Sequence, residues 1–184
     1  NSKLAERMQL LRSHGITRDS NDMTHDSDGP WYYQQIALGY NYRMTDFQAG
    51  LGLSQLSRLN EFVTKRHDIA TRYDTLLTGL PIKLPKEYPI SYSALHLYVI
   101  RLQTNELVKS HLEIFEFLRA AGIGVNLHYI PVYHQPYYKD MGFKLGYCAE
   151  AEKYYKEAIS LPMYTTLSES EQDKVVTVLH EILT

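Results

Sequence analysis

Asn41 and Arg43 stand two residues apart in the run GYNYRMTDFQAGLG, just before a segment that has the pattern of a helix. A side-chain amide donates to a phosphate oxygen without adding charge, and a guanidinium binds a phosphate or carboxylate through two parallel hydrogen bonds. In an extended loop, residues i and i+2 face the same side. The pair is therefore a candidate anion-binding site. The residues leave an alternative open, in which Asn41 satisfies its own loop and Arg43 pairs with Asp46 or another carboxylate.

His128 and Tyr129 open the segment HYIPVY and form a second candidate site. An imidazole and a phenol both hydrogen-bond to sugar hydroxyls or diphosphate oxygens, and Pro131 restricts the loop that presents them. A single histidine is more often packed than functional, which is the alternative for His128. The same argument gives no functional role to His14, His96 or His134. We expect His14, in RSHG, and His96, in a predicted strand, to be packed and hydrogen-bonded.

No metal site is predicted. The eight histidines contain no i,i+4 pair and no HExxH pattern, and Cys148 is the only cysteine. The single cysteine also excludes an intrachain disulfide, which fits a reducing, cytoplasmic location.

The helix that must position Asn41 and Arg43 is predicted to begin at Thr45, which is a good N-cap. Gln48, three residues later, can complete a capping box. Apolar residues then recur at helical spacing and predict a helix from Thr45 to about Thr78, with a kink near residues 54–58. Those residues are Phe47, Leu51, Leu56, Leu59 and Val63. The small residues Ala49, Gly50 and Gly52 allow close approach by another backbone, which suits a site at a subunit boundary.

The rest of the chain alternates helical and extended patterns. The predicted helices cover residues 2–12 (capped by Ser2), 108–121, about 136–141, 148–158 and 168–183, and the predicted strands cover 94–102, 123–129 and 159–162. Few strands joined by short links indicate an α+β fold with a small antiparallel sheet.

Composition narrows the function classes. The chain is 44% hydrophobic and 22% charged, with a formal net charge of -2. A globular protein has this balance, whereas nucleic-acid binders and proteins that bind anionic membranes usually carry basic patches. No apolar stretch approaches the length of a membrane span. We therefore expect neither nucleic acid nor a membrane as a partner.

The run GYNYRMTDFQAGLGLSQL resembles the segment after the cofactor lysine in nucleotide-sugar aminotransferases of the DegT/DnrJ/StrS type. The resemblance continues through HYIPVY to ISLPMYTTLSESEQDKV. Within that family, RSHGI, HYIPVY and ISLPMY are most similar to the UDP-sugar 4-aminotransferases of pseudaminic acid biosynthesis. Such enzymes use pyridoxal 5'-phosphate (PLP) and have fold type I.

The resemblance implies a role for each candidate residue. Asn41 would bind the PLP phosphate of the neighbouring subunit, and three residues, Arg43, His128 and Tyr129, would bind the nucleotide sugar. The substrates would be glutamate and a 4-keto-6-deoxy UDP-N-acetylhexosamine, and the enzyme would be a homodimer with active sites shared across the interface. Residues 1–58 would end the large domain and begin a long connecting helix, and residues 59–184 would form the C-terminal small domain.

The catalytic lysine is expected before Asn1, because none of the ten lysines lies in the serine-, histidine- and glycine-rich context of the family. The chain therefore resembles the C-terminal fragment of a larger enzyme and is expected to be inactive alone. Two alternatives stay open. The parent could be a dehydratase of the same family with histidine in place of lysine, or the chain could be a non-catalytic dimerisation module.

Overall fold

The computed structural model describes all residues from Asn1 to Thr184 in two compact units, Asn1–Ser57 and Arg58–Thr184. The first unit contains α1 (Ser2–Leu11), the antiparallel pair β1 (Ile16–Thr17) and β2 (Gln34–Gln35), and α2 (Asp46–Leu56). The second contains α3 (Leu59–Leu76), β3 (Ile82–Lys83), β4 (Tyr98–Leu102), α4 (His111–Ala120), a 3-10 helix (Val132–His134), α5 (Pro136–Asp140), α6 (Ala149–Glu157), β5 (Ala158–Leu161) and α7 (Glu169–Leu183). Which domain of a complete enzyme each unit forms stays a prediction. No helix combines the length and the apolar character that a membrane span requires.

The sheet of the second unit has the order β3-β4-β5, and both pairings are antiparallel. Ile100 of β4 lies opposite Ile159 of β5, and Leu102 lies opposite Ile82 of β3. Small antiparallel sheets combined with helices confirm the predicted α+β class. The strand predicted over 123–129 is wrong, because only Asn126 pairs with β5, through an isolated bridge to Ser160.

Alternate residues of β4 form the centre of the core. Tyr98, Ile100 and Leu102 are buried, as the two-residue period of a strand requires when one face is covered. The helices contribute further fully buried side chains, namely Tyr73, Ile114, Leu118 and Leu179. Burial raises the pKa of Tyr73, whose hydroxyl donates to the Pro162 carbonyl oxygen at 3.2 Å. The core therefore accepts a phenol only where its hydroxyl finds a partner.

The single long helix predicted from Thr45 is divided into two helices in the structure. α2 ends at Leu56, and α3 begins at Leu59, directly after Arg58, whose backbone angles are not helical. The Ser57 hydroxyl donates to the Ser54 carbonyl oxygen at 2.8 Å, a side-chain bond that competes with the backbone pattern of a helix. The break lies within the segment where a kink was predicted. At the start of the chain, α1 is capped by Asn1 and not by Ser2 as predicted.

Candidate functional site

The loop that carries Asn41 is held against the end of α1 by backbone hydrogen bonds on both sides of that residue. The Tyr40 N–H donates to the Leu11 carbonyl oxygen at 2.8 Å, and the Tyr42 N–H donates to the Arg12 carbonyl oxygen at 2.9 Å. The rings of Tyr40 and Tyr42 stack with centroids 5.1 Å apart. The backbone at Asn41 is thus fixed from both directions.

The side chains of Asn41 and Arg43 are exposed and form no hydrogen bond or ion pair within the chain. The alternative in which Arg43 pairs with Asp46 is therefore not what the structure shows. An amide and a guanidinium on a fixed loop, both without an internal partner, are available as donors to an anionic ligand. Whether they bind one stays a prediction.

The predicted capping box directly after this loop is present. The Gln48 N–H donates to Thr45 Oγ1 at 3.3 Å, and the Thr45 N–H donates to Gln48 Oε1 at 2.9 Å. Because these bonds fix the first turn of α2, they also fix the position at which the loop ends.

Gly39 allows the close approach of this loop to the end of α1. A Cβ at position 39 would lie 2.4 Å from Gly15 N and 2.6 Å from the Leu11 carbonyl oxygen, far inside contact distance. A side chain there would push the Asn41 loop away from α1. By contrast, a Cβ at Gly50 in α2 would meet nothing within 4 Å.

We expect Gly39→Ala to lower the free energy of unfolding by about 1–3 kcal/mol, the usual cost of overpacking. Gly50→Ala is the matched control and should leave stability unchanged or raise it by about 1 kcal/mol, since alanine favours a helix. Chemical denaturation of the chain carrying each variant provides the measurement. Equal effects of the two substitutions would contradict the close approach at Gly39.

The second candidate group lies in the other unit, beside β5. The Asn126 and Ser160 backbones exchange two hydrogen bonds, of 3.2 and 2.8 Å. His128 Nδ1 lies 2.8 Å from the hydroxyl of Ser160, which is buried in β5. His128 is therefore oriented by one ring nitrogen, and its Nε2 has no partner in the chain. Sequence reasoning missed Ser160, since a serine in an apolar strand gives no sign of its partner.

Tyr129 follows with 72% of its surface exposed and no hydrogen bond to its hydroxyl. Its ring meets that of His128 edge-on, with centroids 4.7 Å apart. The pair therefore offers one imidazole nitrogen and one phenol to solvent. Both groups hydrogen-bond readily to hydroxyls and to phosphate oxygens.

A cleft of about 580 Å³ lies next to His128. Its lining includes Asn126, Ser160, Tyr164, Glu171 and Lys174. The Ser168 N–H and hydroxyl donate to the Glu171 carboxylate, which holds the pKa of Glu171 below its usual range. The cleft thus carries a fixed carboxylate and the exposed ammonium of Lys174.

Among the other histidines, His134 has its Nε2 3.3 Å from Glu152 Oε1. His96 is exposed rather than packed. No group of three or more histidine, cysteine, aspartate or glutamate side chains could hold a metal ion. Glu152 itself was missed, because a glutamate in the run AEAEKYYKE has the appearance of an exposed helix residue.

Comparison with known proteins gives one family. The model described as the DegT/DnrJ/EryC1/StrS aminotransferase family matches residues 1–180. The spore coat polysaccharide biosynthesis protein SpsC of Bacillus subtilis is 34% identical over 184 residues, 98% of this chain and 47% of SpsC. The UDP-4-amino-4,6-dideoxy-N-acetyl-beta-L-altrosamine transaminase of Campylobacter jejuni is 34% identical over 187 residues, all of this chain and 46% of that enzyme.

The fold has close counterparts among solved structures. The PMP form of Spr1654 from Streptococcus pneumoniae matches with a TM-score of 0.83 and 32% identity, over 99% of this chain and 44% of that chain. The PLP form of the same protein also matches. The α+β fold is thus that of a fragment of a fold-type I aminotransferase. The chain spans about half the length of the proteins that it matches.

Proposed function

Because the chain belongs to the DegT/DnrJ/EryC1/StrS aminotransferase family, we propose that it is the C-terminal part of a PLP-dependent nucleotide-sugar aminotransferase. The complete enzyme would move an amino group from glutamate to C4 of a 4-keto-6-deoxy UDP-N-acetylhexosamine. The observation that carries this proposal is the 34% identity, over the whole chain, to an enzyme whose name specifies a UDP-4-amino sugar. Bound PLP supplies the electron sink that amino transfer needs.

The donors at Asn41 fit the phosphate end of PLP. The amide of Asn41 is exposed, unpaired and carried on a loop with a fixed backbone, which are the properties of a preorganised phosphate donor. In the proposed enzyme, Asn41 donates to the phosphate of the PLP bound by the partner subunit. Arg43, whose guanidinium also lacks an internal partner, contacts the nucleotide sugar at the same boundary.

His128 and Tyr129 hold the nucleotide sugar in this proposal. Ser160 orients the imidazole, which leaves Nε2 free for a diphosphate oxygen or a sugar hydroxyl. The exposed phenol of Tyr129 offers one further donor and acceptor. These residues bind and orient the substrate, and none of them is proposed to transfer a proton.

The surface of α2 supports a homodimer. Phe47 is 93% exposed, and the leucines at 51, 53 and 56 are each more than 60% exposed. At 100° per residue these side chains point to several sides of the helix, which is a wider apolar surface than the single stripe of an ordinary surface helix. Covering α2 with a second copy would remove this surface from water and bring the loop of Asn41 to the boundary between subunits.

In the complete enzyme, we expect His128→Ala and Arg43→Ala to raise the KM for the UDP-sugar by about tenfold or more, the effect of losing a charge-assisted hydrogen bond. The absorbance of bound PLP should stay unchanged, because neither residue holds the cofactor. His96→Ala is the matched control, since His96 is exposed and its side chain has no hydrogen bond. Steady-state kinetics with varied UDP-sugar provide the measurement. An unchanged KM, or loss of the cofactor, would contradict these roles.

A further inference from the structure

Tyr129 has little support of its own. Its hydroxyl has no partner, most of its surface is exposed, and its ring touches only that of the neighbouring histidine among the aromatic residues. A side chain of this kind points where its backbone directs it. The position of the phenol therefore depends on how the chain is anchored before and after residue 129.

The anchor before Tyr129 is the sheet edge already described. The bridge between Asn126 and Ser160, together with the bond from His128 to the Ser160 hydroxyl, fixes the chain as far as residue 128.

The anchor after Tyr129 is the carboxylate of Glu152 in α6. A single oxygen, Oε1, lies 3.0 Å from the Tyr133 hydroxyl, 3.3 Å from His134 Nε2 and 2.6 Å from Gly146 N. Tyr133 and His134 belong to the 3-10 helix Val132–His134, which begins directly after the buried Pro131. One side chain thus joins three chain positions: the turn that follows Tyr129, the loop before α6, and α6 itself.

The surroundings of Glu152 strengthen this contact. The side chains of Glu152 and His134 are only 18% and 15% exposed, so the contact between them is largely shielded from water. The backbone bond from Gly146 and the bond from His134 lower the pKa of Glu152, which keeps it ionised at neutral pH. The Tyr133 ring also packs against Tyr147, with centroids 5.4 Å apart. The Tyr133 hydroxyl also lies 2.9 Å from the Cys148 carbonyl oxygen, so its single proton is shared between that oxygen and Glu152, and both contacts join the turn to the start of α6.

We propose that Glu152 is a positioning residue that holds the Tyr133–His134 turn and thereby places the phenol of Tyr129 for binding the nucleotide sugar. The inference rests on the proposed function for the role of Tyr129. Glu152 lies 23 positions after Tyr129 in the sequence and acts on it through the backbone of the turn.

The test uses the complete enzyme with Glu152→Ala, Glu152→Gln, Tyr129→Ala and the double variant Glu152→Ala/Tyr129→Ala. Glu150→Ala is the matched control, since Glu150 lies in the same first turn of α6, is exposed, and its side chain makes no hydrogen bond or ion pair. Hydrogen exchange measured by mass spectrometry reports the protection of residues 129–147. Steady-state kinetics report KM for the UDP-sugar and kcat separately.

Glu152→Ala should reduce protection across 129–147 and raise KM about two- to tenfold, the range for losing one neutral hydrogen bond from the phenol to the substrate. Tyr129→Ala should raise KM by a similar factor, and the double variant should be no worse than either single variant, because both changes remove the same contact. Glu152→Gln keeps an acceptor for Tyr133 and Gly146 and should lie between wild type and Glu152→Ala. Glu150→Ala should match wild type in both measurements.

Two results would overturn the inference while leaving the proposed function intact. One is an unchanged KM in Glu152→Ala despite lost protection, and the other is independent, multiplying effects of Glu152→Ala and Tyr129→Ala. If Glu152→Ala does not fold, Glu152→Gln takes its place in the double-mutant cycle with Tyr129→Ala, and the same two results would overturn the inference. An unchanged KM in Tyr129→Ala would remove the role of Tyr129 from the proposed function, and the inference with it.

Discussion

Asn41→Ala in the complete enzyme is expected to weaken the retention of PLP by roughly 10- to 150-fold, equivalent to the ~1.5–3 kcal/mol of a hydrogen bond to a charged group. The amide is exposed, lacks any partner in its own chain, and stands on a loop fixed by backbone bonds from Tyr40 and Tyr42. Removing it therefore subtracts a donor and leaves the loop in place. Asn41→Asp should weaken retention further, because a carboxylate accepts hydrogen bonds and repels phosphate.

The measurement is the PLP concentration at which half of the enzyme binds the cofactor, followed by absorbance after dialysis. Asn105→Ala is the matched control, as Asn105 is exposed and its side chain makes no hydrogen bond. Wild-type retention in Asn41→Ala would show that this residue does not hold the cofactor phosphate.

Hybrid dimers test whether Asn41 serves the partner subunit. A chain with Asn41→Ala and an intact catalytic lysine is paired with a chain that keeps Asn41 and lacks that lysine. If the lysine and Asn41 of one site come from different chains, the hybrid contains one intact site, and about half of the wild-type activity should return. If both come from the same chain, neither site is intact. Activity is therefore measured at a PLP concentration that saturates the wild type and leaves the Asn41→Ala dimer largely empty, and a hybrid no more active than that dimer would contradict the shared site.

Local sequence signals predicted the helix starts well where a capping residue was recognised. The predicted capping box of Thr45 and Gln48 is present, and Ser168, the first residue of a predicted helix, forms a second box with Glu171. The same pattern at Ser110 and Glu113 was not used, and the predicted start at residue 108 was wrong by three positions because α4 begins at His111. A cap is decided within four residues, so the sequence contains the whole signal.

Features that depend on distant residues were not predictable in the same way. Ile82 and Lys83 form β3 between Pro81 and Pro85, and only their pairing with β4 makes them a strand. The segment 123–129 has the apolar alternation of a strand, yet only Asn126 pairs with β5, through the bridge to Ser160. Propensity describes fitness for a sheet, whereas the available partner strand decides whether a segment joins one.

The residues of the candidate site were also predictable only in part. The side chains of Asn41, Arg43, His128 and Tyr129 could be named from chemistry and family resemblance, since their types are those that bind phosphates and sugars. The residues that orient them could not. Ser160 lies 32 residues from His128, and Glu152 lies 19 residues from Tyr133. Their roles follow from the fold and have no pattern in the sequence.

In the proposed function, the complete enzyme transfers nitrogen from glutamate to a UDP-linked keto sugar. The most direct test supplies L-glutamate labelled with ¹⁵N and a 4-keto-6-deoxy UDP-N-acetylhexosamine, with PLP, and analyses the sugar nucleotide by mass spectrometry. We expect ¹⁵N in an amino group on the sugar, together with an equal amount of 2-oxoglutarate. A sugar that loses water and gains no nitrogen would identify a dehydratase, and an unchanged sugar with unconsumed glutamate would contradict the claim outright.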